Sequence, residues 1–351
     1  MFRPILRAQL AQPLMCKCMQ RRNRIGVVLD IDGVVKQGKR AIPGAREALI
    51  RLREERVPFI FMTNGGGNTE AQKAAELGEL LEFEGICSEQ MLLSHTPFRP
   101  LAERFRQRRV LLVGSAETAQ VARSYGFAVG TMAVRSTQIV KGTEDIFPWP
   151  RATCDLPAIN VNAPGEPPIE AVLIFYEPAD WALELQVITD VLAGGHPLGA
   201  EGAGAAALQR AEVYSSNSDF LWQAGYPVPR FGNGAFVCAL QELWLKRSGS
   251  PLQIQEYGKP YAVQFQAARQ LLSQVAKSNE FEQIYMIGDN PKADVRGANF
   301  AGDPWRSMLV CTGGAGGAAG GSGRPFGGVE RRKTKRGGKN MRMFWAWSFS
   351  P

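Results

Sequence analysis

The chain has 351 residues, of which 45% are hydrophobic and 21% are charged. This length and composition are typical of a globular protein with about two domains, and they exclude a fibrous or wholly disordered chain. The net charge is +8, but residues 1–24 carry +6 and residues 313–351 carry +7, which leaves −5 for the residues between them. No nucleic-acid-binding face is therefore expected on the body, and only the basic ends leave that alternative open.

The reactive side chains of the sequence are mainly carboxylates and lysine. Only two histidines are present, and the six cysteines contain no C-x-x-C pair. These counts argue against a histidine-based triad, a multi-histidine zinc site and a disulfide framework. No run of 18 apolar residues indicates a transmembrane helix, so no membrane partner is expected.

The first 24 residues form a basic leader that contains six Lys or Arg residues and no acid. This composition is typical of a mitochondrial transit segment, although serine is absent and two prolines interrupt any amphipathic helix. We therefore expect a mitochondrial protein, with a cytoplasmic protein that carries a basic leader as the alternative.

From Ile25 onward, short apolar runs alternate with segments of helical periodicity, which predicts βαβ units around a parallel sheet. The first block contains, in order, a strand at Ile25–Leu29, a helix at Gly44–Glu54, a strand at Pro58–Met62 and a helix at Thr69–Phe83. A second α/β block contains strands at Val110–Val113 and Ala171–Tyr176 and a helix at Trp181–Leu192. This second block interrupts the first.

The rhythm of the first block then returns. Its predicted elements are a strand at Val213–Ser215, helices at Ala235–Arg247 and Tyr261–Lys277, and a strand at Gln283–Gly288. The predicted architecture is an α/β fold in which a doubly wound parallel core, residues 25–105 and 214–312, carries an inserted α/β cap, residues 106–213. Residues 313–351 form a Gly-rich basic tail that we expect to be disordered.

The apolar strand at Ile25–Leu29 runs directly into two aspartates. Side chains two residues apart on an extended backbone point the same way, so Asp30 and Asp32 can converge on one ligand at the carboxyl end of the strand. Two close carboxylates favour a divalent cation between them. A simple turn at Asp32-Gly33 is the alternative, and Gly33–Lys39 fits a phosphate-binding P-loop poorly because Arg40 replaces the required Ser or Thr.

Three further segments place polar side chains after strands or in loops. The strand Pro58–Met62 leads into Thr63, Asn64 and Gly65, whose hydroxyl, amide and backbone N–H groups suit a phosphate, with a polar turn as the alternative. Lys259 stands alone between a glycine and a proline and would by itself be an ordinary surface charge.

The last segment follows the strand Gln283–Gly288. Asp289 ends this strand, and Asp294 follows five residues later at the start of a helix. Carboxylates that face the first aspartate pair would complete an oxygen-ligand site for Mg²⁺.

Taken in this order, the four segments resemble the four motifs of the haloacid dehalogenase (HAD) superfamily. The segments LDIDGVV, TNGGGN, YGKP and GDNPKADVRGAN, together with NSDFLW and FGNGAF, are similar to class IIA of that superfamily, which carries its cap between the second and third motifs. The resemblance covers residues 25–312. It departs from the family after Thr312, where another strand and helix would be expected.

The resemblance implies a Mg²⁺-dependent hydrolase that acts on a small organic phosphate. Asp30 would attack phosphorus, Asp32 would act as acid and base, and Lys259 would offset the phosphoryl charge beside Thr63. The implied metal ligands are Asp30, the Asp32 carbonyl and Asp289, with Asp294 behind them. A HAD-fold protein that binds a ligand without turnover is the alternative. A homodimer and the roles of Asn217, Asp219 and Asn233 near the site entrance stay open.

Overall fold

The computed structural model describes residues 24–128, 133–135, 165–195, 198–202, 208–222, 226 and 228–311. The predictions for the leader and for the Gly-rich tail lie outside these ranges. Within them, two parallel sheets are flanked by helices, so the predicted α/β class is confirmed.

The first sheet has five parallel strands in the spatial order β14-β13-β1-β4-β5. Its strands are β1 at Ile25–Leu29, β4 at Phe59–Met62, β5 at Met91–Leu92, β13 at Gln283–Gly288 and β14 at Trp305–Leu309. The strands β1 and β4 are almost completely buried, as expected for parallel strands covered on both faces. Burial on both faces explains why these two strands are continuous apolar runs in the sequence.

Four helices pack on the first sheet and form, with it, the first unit. They are α1 at Ala45–Glu54, α2 at Glu70–Leu81, α7 at Ala262–Ala276 and α8 at Arg296–Ala301. One apolar cluster, including Phe61 and Leu77, fills one face of the sheet, and a second, including Ile60 and Phe265, fills the other. Helix α2 begins with a capping box, because the Thr69 side chain accepts from the N–H of Gln72 and the Gln72 side chain accepts from the N–H of Thr69.

The second sheet is also parallel, with the order β12-β9-β8-β6-β7. Its strands are β6 at Arg109–Val113, β7 at Ala133–Arg135, β8 at Ile169–Ile174, β9 at Glu212–Ser215 and β12 at Gln255–Glu256. The helices beside it are α3 at Arg99–Arg104, α4 at Thr118–Ser124, α5 at Trp181–Ala193 and α6 at Asn233–Ser248. These elements form the second unit.

The boundaries of this second unit differ from the predicted cap, 106–213. Strand β9 pairs with β8 in the second sheet, and β12 pairs with β9. The prediction that residues 214–256 belong to the core of the first sheet is therefore wrong. Phe236 and Trp244 of α6 fill an apolar cluster with residues of β6 and β8. At the other end, Phe98 and Leu101 pack against the opposite face of the second sheet. The hydrophobic pattern predicts elements but does not state which sheet a strand joins.

Two short antiparallel hairpins project from these units. One pairs β2 at Lys36–Gln37 with β3 at Arg40–Ala41, directly after the Asp30-to-Gly33 segment. The other pairs β10 at Leu221–Trp222 with β11 at Arg230–Phe231, in the second unit. Among the described residues, no helix is both long enough and apolar enough to cross a membrane.

Candidate active site

The carboxyl edge of the first sheet brings together residues from distant parts of the sequence. Asp30 follows β1, Thr63 follows β4 and Asp289 follows β13, and these three strands are neighbours in the sheet. The N–H of Asp30 donates to the carbonyl of Ile287, which fixes the end of β1 against β13. Ligands of open α/β folds bind at such an edge.

Lys259 lies at the centre of the site, as its predicted approach to Asp30 requires. Its Nζ is 2.8 Å from Asp30 Oδ1 and 2.7 Å from Asp294 Oδ1. The exposed fractions of the three side chains are 2% for Lys259, 9% for Asp30 and 1% for Asp294. A buried ammonium is thus held between two buried carboxylates.

This burial governs the protonation of the group. Burial raises the pKa of Asp30 well above its ordinary value, the Lys259 charge lowers it, and the Asp294 charge raises it again. Burial lowers the pKa of Lys259, but the charges of Asp294 and Asp30 outweigh that effect and leave the pKa above its ordinary value. Lys259 is therefore charged at neutral pH, and a further positive charge beside Asp30 would favour the ionised form of that carboxyl.

A polar turn after β13 fixes Asp294. Asp294 Oδ2 accepts a hydrogen bond of 3.0 Å from the backbone N–H of Asn290, and the Asn290 side chain caps the same turn by accepting from Lys292 N. An ideal Cβ on Gly288 would lie 2.1 Å from Asp294 Cγ. Only glycine therefore lets this carboxylate reach Lys259 across the end of the strand.

Asp289 is brought to the same point by another glycine. Carboxylate oxygens of Asp30, Asp289 and Asp294 all lie within 4.8 Å of one another. The backbone of Gly33 packs against Asp289 so closely that an ideal Cβ there would lie 2.2 Å from Asp289 Oδ2, and Gly33 also has a φ of +82°. The Asp-x-Asp-Gly segment thus supplies the space that the third carboxylate occupies.

Asp32 differs from Asp30 in its exposure. Its side chain is 61% exposed, and Oδ1 lies 3.7 Å from Lys36 Nζ. On the other side, an ideal Cβ on Gly65 would lie 3.2 Å from Thr63 Oγ1 and 3.9 Å from Asp32 Oδ2. The structure therefore brings Asp32, the residue predicted to act as both acid and base, to the loop that was predicted to bind phosphate.

The side chains of Thr63 and Asn64 make different contacts. Thr63 Oγ1 accepts a hydrogen bond of 2.9 Å from Gly65 N. Asn64 Nδ2 donates to the Lys259 carbonyl at 3.0 Å, and Asn64 Oδ1 accepts from Lys259 N at 2.7 Å. Asn64 therefore holds the backbone that carries Lys259, and direct phosphate binding by its side chain stays a prediction.

The second unit reaches the site through the loop after β9. Asn217 Nδ2 donates to the Asn64 carbonyl at 3.1 Å, and Asn233 Nδ2 donates to the Asn217 carbonyl at 2.7 Å. Asp219 lies beside this chain of bonds. Burial raises the pKa of Asp219, while the charge of Lys259 lowers it. Asn217 links the two units and Asn233 holds Asn217 in place, and sequence reasoning left their roles open.

Sequence reasoning missed several residues around the site. Burial raises the pKa of Tyr176, and the charges of Glu177 and Asp32 raise it further, so Tyr176 of the second unit lies near Asp32, the predicted acid/base residue. Lys36 was also missed. No motif or spacing marks these residues, because only the folded chain brings them to Asp32.

A buried polar network lies behind residues 63–67, which are called the phosphate loop after the prediction made for them. His95 is fully buried, and its Nδ1 lies 2.8 Å from the Tyr125 hydroxyl, which donates to Glu70 Oε1 at 2.6 Å. Glu70 also accepts from Thr96 Oγ1 and pairs with Arg99 Nη2 at 3.1 Å. An ideal Cβ on Gly66 would lie 3.0 Å from the His95 ring. The network thus joins the phosphate loop to helix α4 of the second unit through Tyr125.

The comparison with family models identifies the class of this protein. A haloacid dehalogenase-like hydrolase model matches residues 27–128, and a HAD-hydrolase-like model matches residues 256–325. A mitochondrial hydrolase of Saccharomyces cerevisiae is 32% identical over 324 residues, which cover 83% of this chain and 88% of that protein. The chain belongs to the haloacid dehalogenase-like hydrolase family and is a HAD-type hydrolase.

A second relative places a similar sequence within a larger protein. The Schizosaccharomyces pombe cardiolipin synthase (CMP-forming)/mitochondrial hydrolase fusion protein is 32% identical over 292 residues, which cover 81% of this chain and 47% of the fusion. The chain thus spans about half of that protein. Both relatives carry the words mitochondrial hydrolase in their names.

Solved structures show the same fold at lower identity. Glycerol phosphate phosphatase of Mycobacterium tuberculosis, in complex with calcium, has a TM-score of 0.55 and 21% identity, and the match covers 83% of this chain and 66% of that one. The p-nitrophenyl phosphatase of Archaeoglobus fulgidus has a TM-score of 0.56 and 17% identity, with coverages of 82% and 86%. These matches confirm the HAD fold.

Proposed function

We propose that the chain is a Mg²⁺-dependent phosphatase that cleaves small organic phosphate esters through an aspartyl-phosphate on Asp30. The observation that carries this proposal is the buried Asp30–Lys259–Asp294 group at the carboxyl edge of the first sheet, with Asp32 and Thr63 beside it. The names of the structural neighbours, which include phosphatases of glycerol phosphate and p-nitrophenyl phosphate, support the same chemistry.

The donor set fits a divalent cation. The three carboxylates of Asp30, Asp289 and Asp294 and the ammonium of Lys259 carry a combined charge of −2 when all are ionised. Hard oxygen ligands of this kind suit Mg²⁺. Asp294 already uses one oxygen for Lys259 and the other for Asn290 N. We therefore assign the metal to Asp30, Asp289 and the Asp32 carbonyl, with Asp294 as the residue that orients Lys259.

The phosphate loop accounts for binding of the transferring group. Thr63 and the glycines Gly65–Gly67 follow β4 and precede helix α2. The N–H of Thr63 donates to the Leu92 carbonyl and the N–H of Gly65 to Thr63 Oγ1, so we assign the anion to the Thr63 hydroxyl and to the N–H groups that follow Gly65. Lys259 adds a full positive charge that is already oriented before substrate binds. A bound Mg²⁺ would supply charge stabilisation of the phosphoryl oxygens and would favour the ionised form of Asp30.

The residues then divide the two steps of hydrolysis between them. Asp30 Oδ1 is engaged by Lys259 and by Ile31 N, so we assign the attack on phosphorus to Oδ2. As the new bond forms, the bond between phosphorus and the ester oxygen breaks, and Asp32 gives a proton to that oxygen. In the second step Asp32 takes a proton from water, the resulting hydroxide attacks phosphorus, and the Asp30 carboxylate is released.

The placement of the second unit supports two finer assignments. It lies between Thr63 and Lys259 in the sequence, as class IIA of the superfamily requires, so we assign this class and the role of a cap to it.

The two relatives named as mitochondrial hydrolases, together with the basic leader, support import into mitochondria.

An ester panel tests the proposal directly. Aryl phosphate, sugar phosphate and glycerol phosphate are incubated with the protein, with Mg²⁺ or with a chelator, and released phosphate is measured. We expect turnover that requires Mg²⁺ and is abolished in Asp30→Asn, because the amide cannot form the acyl phosphate. The control Glu103→Gln, which neutralises a 79% exposed carboxylate, should be fully active. A protein that is stabilised by Mg²⁺ and phosphate but releases no phosphate would instead be a binding protein.

A further inference from the structure

Lys36 is a largely buried cation beside an exposed carboxylate. Its side chain is 13% exposed, whereas that of Asp32 is 61% exposed, and Nζ lies 3.7 Å from Asp32 Oδ1. A tight turn causes this approach, because Gly33 N donates to the Lys36 carbonyl at 2.7 Å and Lys36 N donates to the Ile31 carbonyl at 3.0 Å. The turn places residue 36 directly alongside residue 32.

Glu76 of helix α2 fixes the position of this cation. Glu76 Oε1 lies 2.9 Å from Lys36 Nζ, and Glu76 Oε2 lies 2.6 Å from Lys73 Nζ. Charges therefore alternate along the series Asp32, Lys36, Glu76 and Lys73. The contact of Lys36 with Glu76 is shorter than its contact with Asp32, so Lys36 is held by helix α2 and the exposed Asp32 side chain adjusts to it.

The other oxygen of Asp32 faces the phosphate loop. The space next to Oδ2 is left open by Gly65, at which an ideal Cβ would lie 3.9 Å from Oδ2 and 3.2 Å from Thr63 Oγ1. One oxygen of the carboxylate is therefore directed to Lys36 and the other to the place where a phosphate ester would meet Thr63. An exposed aspartate without such a partner would sample several rotamers.

We propose that Lys36 is a positioning residue that orients Asp32 for proton transfer to the leaving group. This inference rests on the proposed phosphatase function. As the Asp30 oxygen bonds to phosphorus, the electron pair of the breaking bond moves to the ester oxygen, and the proton of the Asp32 carboxyl passes to that oxygen. The carboxylate that remains lies next to the Lys36 ammonium, which stabilises the charge that develops there.

The role predicts a dependence on the leaving group. An alkyl phosphate releases a strongly basic alkoxide and needs the proton of Asp32, whereas p-nitrophenolate leaves with little help. Loss of the Lys36 contact should therefore slow alkyl esters more than aryl esters. A residue that only supports the fold, or that only binds the phosphate, would affect both classes to the same extent.

The test compares kcat/KM for glycerol phosphate with kcat/KM for p-nitrophenyl phosphate in the full chain with Mg²⁺, because kcat/KM reports the departure of the leaving group and not the later hydrolysis that both esters share. In Lys36→Met, we expect the ratio of alkyl to aryl kcat/KM to fall by about tenfold, a part of the ~10²–10⁴ that a positioned proton donor contributes. Lys36→Arg, which keeps the charge, should restore most of that ratio. The matched control is Lys39→Met, which removes an exposed lysine from the same hairpin and should leave the ratio unchanged.

The outcomes separate this inference from the function beneath it. If Lys36→Met lowers both values of kcat/KM equally, or lowers neither, the positioning role is wrong although the wild-type protein is still a phosphatase. If the wild-type protein hydrolyses neither ester, the proposed function fails and the inference fails with it. A rise in the thermal midpoint on adding Mg²⁺ shows that each variant has kept the folded site, so a misfolded variant is recognised as such.

Discussion

Replacing Lys259 by methionine should destabilise the protein strongly when no metal is present. The substitution leaves Asp30 and Asp294 buried without the ammonium that now lies 2.8 and 2.7 Å from their oxygens. Each contact is worth about 6 kcal/mol of Coulomb energy at an effective dielectric constant of ~20, before the cost of burying the charges is subtracted. Breaking buried pairs in this way costs roughly 3–5 kcal/mol net, because the partners remain buried and unpaired. We expect a loss of about 4 kcal/mol in the free energy of unfolding.

Metal should reduce this loss. Without the ammonium, the three carboxylates form a more negative group, which attracts Mg²⁺ more strongly than the wild-type site does. The difference in stability between wild type and Lys259→Met should therefore be smaller in saturating Mg²⁺ than in a chelator. The double variant Lys259→Met/Asp294→Asn should also recover part of the loss, because one of the two unpaired charges is removed.

The assay is urea-induced unfolding followed by circular dichroism, in a chelator and in excess Mg²⁺. The control is Lys246→Met, since Lys246 is 78% exposed and its pair with Glu242 contributes at most about 1 kcal/mol. A loss below about 1 kcal/mol in Lys259→Met with chelator present would refute the reasoning. A loss that Mg²⁺ leaves unchanged would also refute it, because the Lys259 ammonium and Mg²⁺ would then not bind the same group of carboxylates.

Two further predictions concern residues outside the lysine pair. Gly33→Ala should weaken Mg²⁺ binding by about 10- to 100-fold in calorimetry, because its Cβ would displace Asp289, whereas Gly38→Ala, at a φ of +60° with open space around it, should bind Mg²⁺ normally. Burial lowers the pKa of His95 to about 4, against the charge of Glu70, so the unfolded chain binds this proton first as the pH falls from about 6.5. The stability that neutral His95 contributes is full above pH 6.5 and should fall by up to about 3 kcal/mol towards pH 4, and His95→Gln should remove this slope in unfolding measured at pH 7 and pH 5.

The sequence predicts the carboxyl edge of the first sheet well because strand ends are local features. An apolar run followed by Asp-x-Asp indicates two carboxylates on one side of a strand end, and the structure places Asp30 and Asp32 there. The buried contact of Lys259 with Asp30 was expected only from the resemblance to a family, since a single lysine between glycine and proline carries no such information.

The sequence predicts long-range pairing poorly. The apolar pattern of strand β9 would suit either sheet, and only its pairing with β8 assigns it to the second unit. Lys36 looks like an ordinary charged residue of a hairpin until the turn after Gly33 brings it to Asp32. Both polar atoms of the Asn64 side chain bond to the backbone of Lys259, a contact that the sequence did not predict. The contacts of β9 and Asn64 depend on the tertiary fold, and the contact of Lys36 depends on a turn that no local sequence pattern marks.

The most direct test of the central claim is chemical trapping of the phosphorylated aspartate. The wild-type protein is mixed with Mg²⁺ and a hydrolysable ester, quenched within the first turnover, and reduced with borohydride, which converts an acyl phosphate to an alcohol. Mass spectrometry of the peptides should then show homoserine in place of Asp30, with Asp32 and Asp289 unchanged. Phosphate release without any reduction at Asp30, or with reduction at another residue, would contradict the account of Asp30 as the nucleophile.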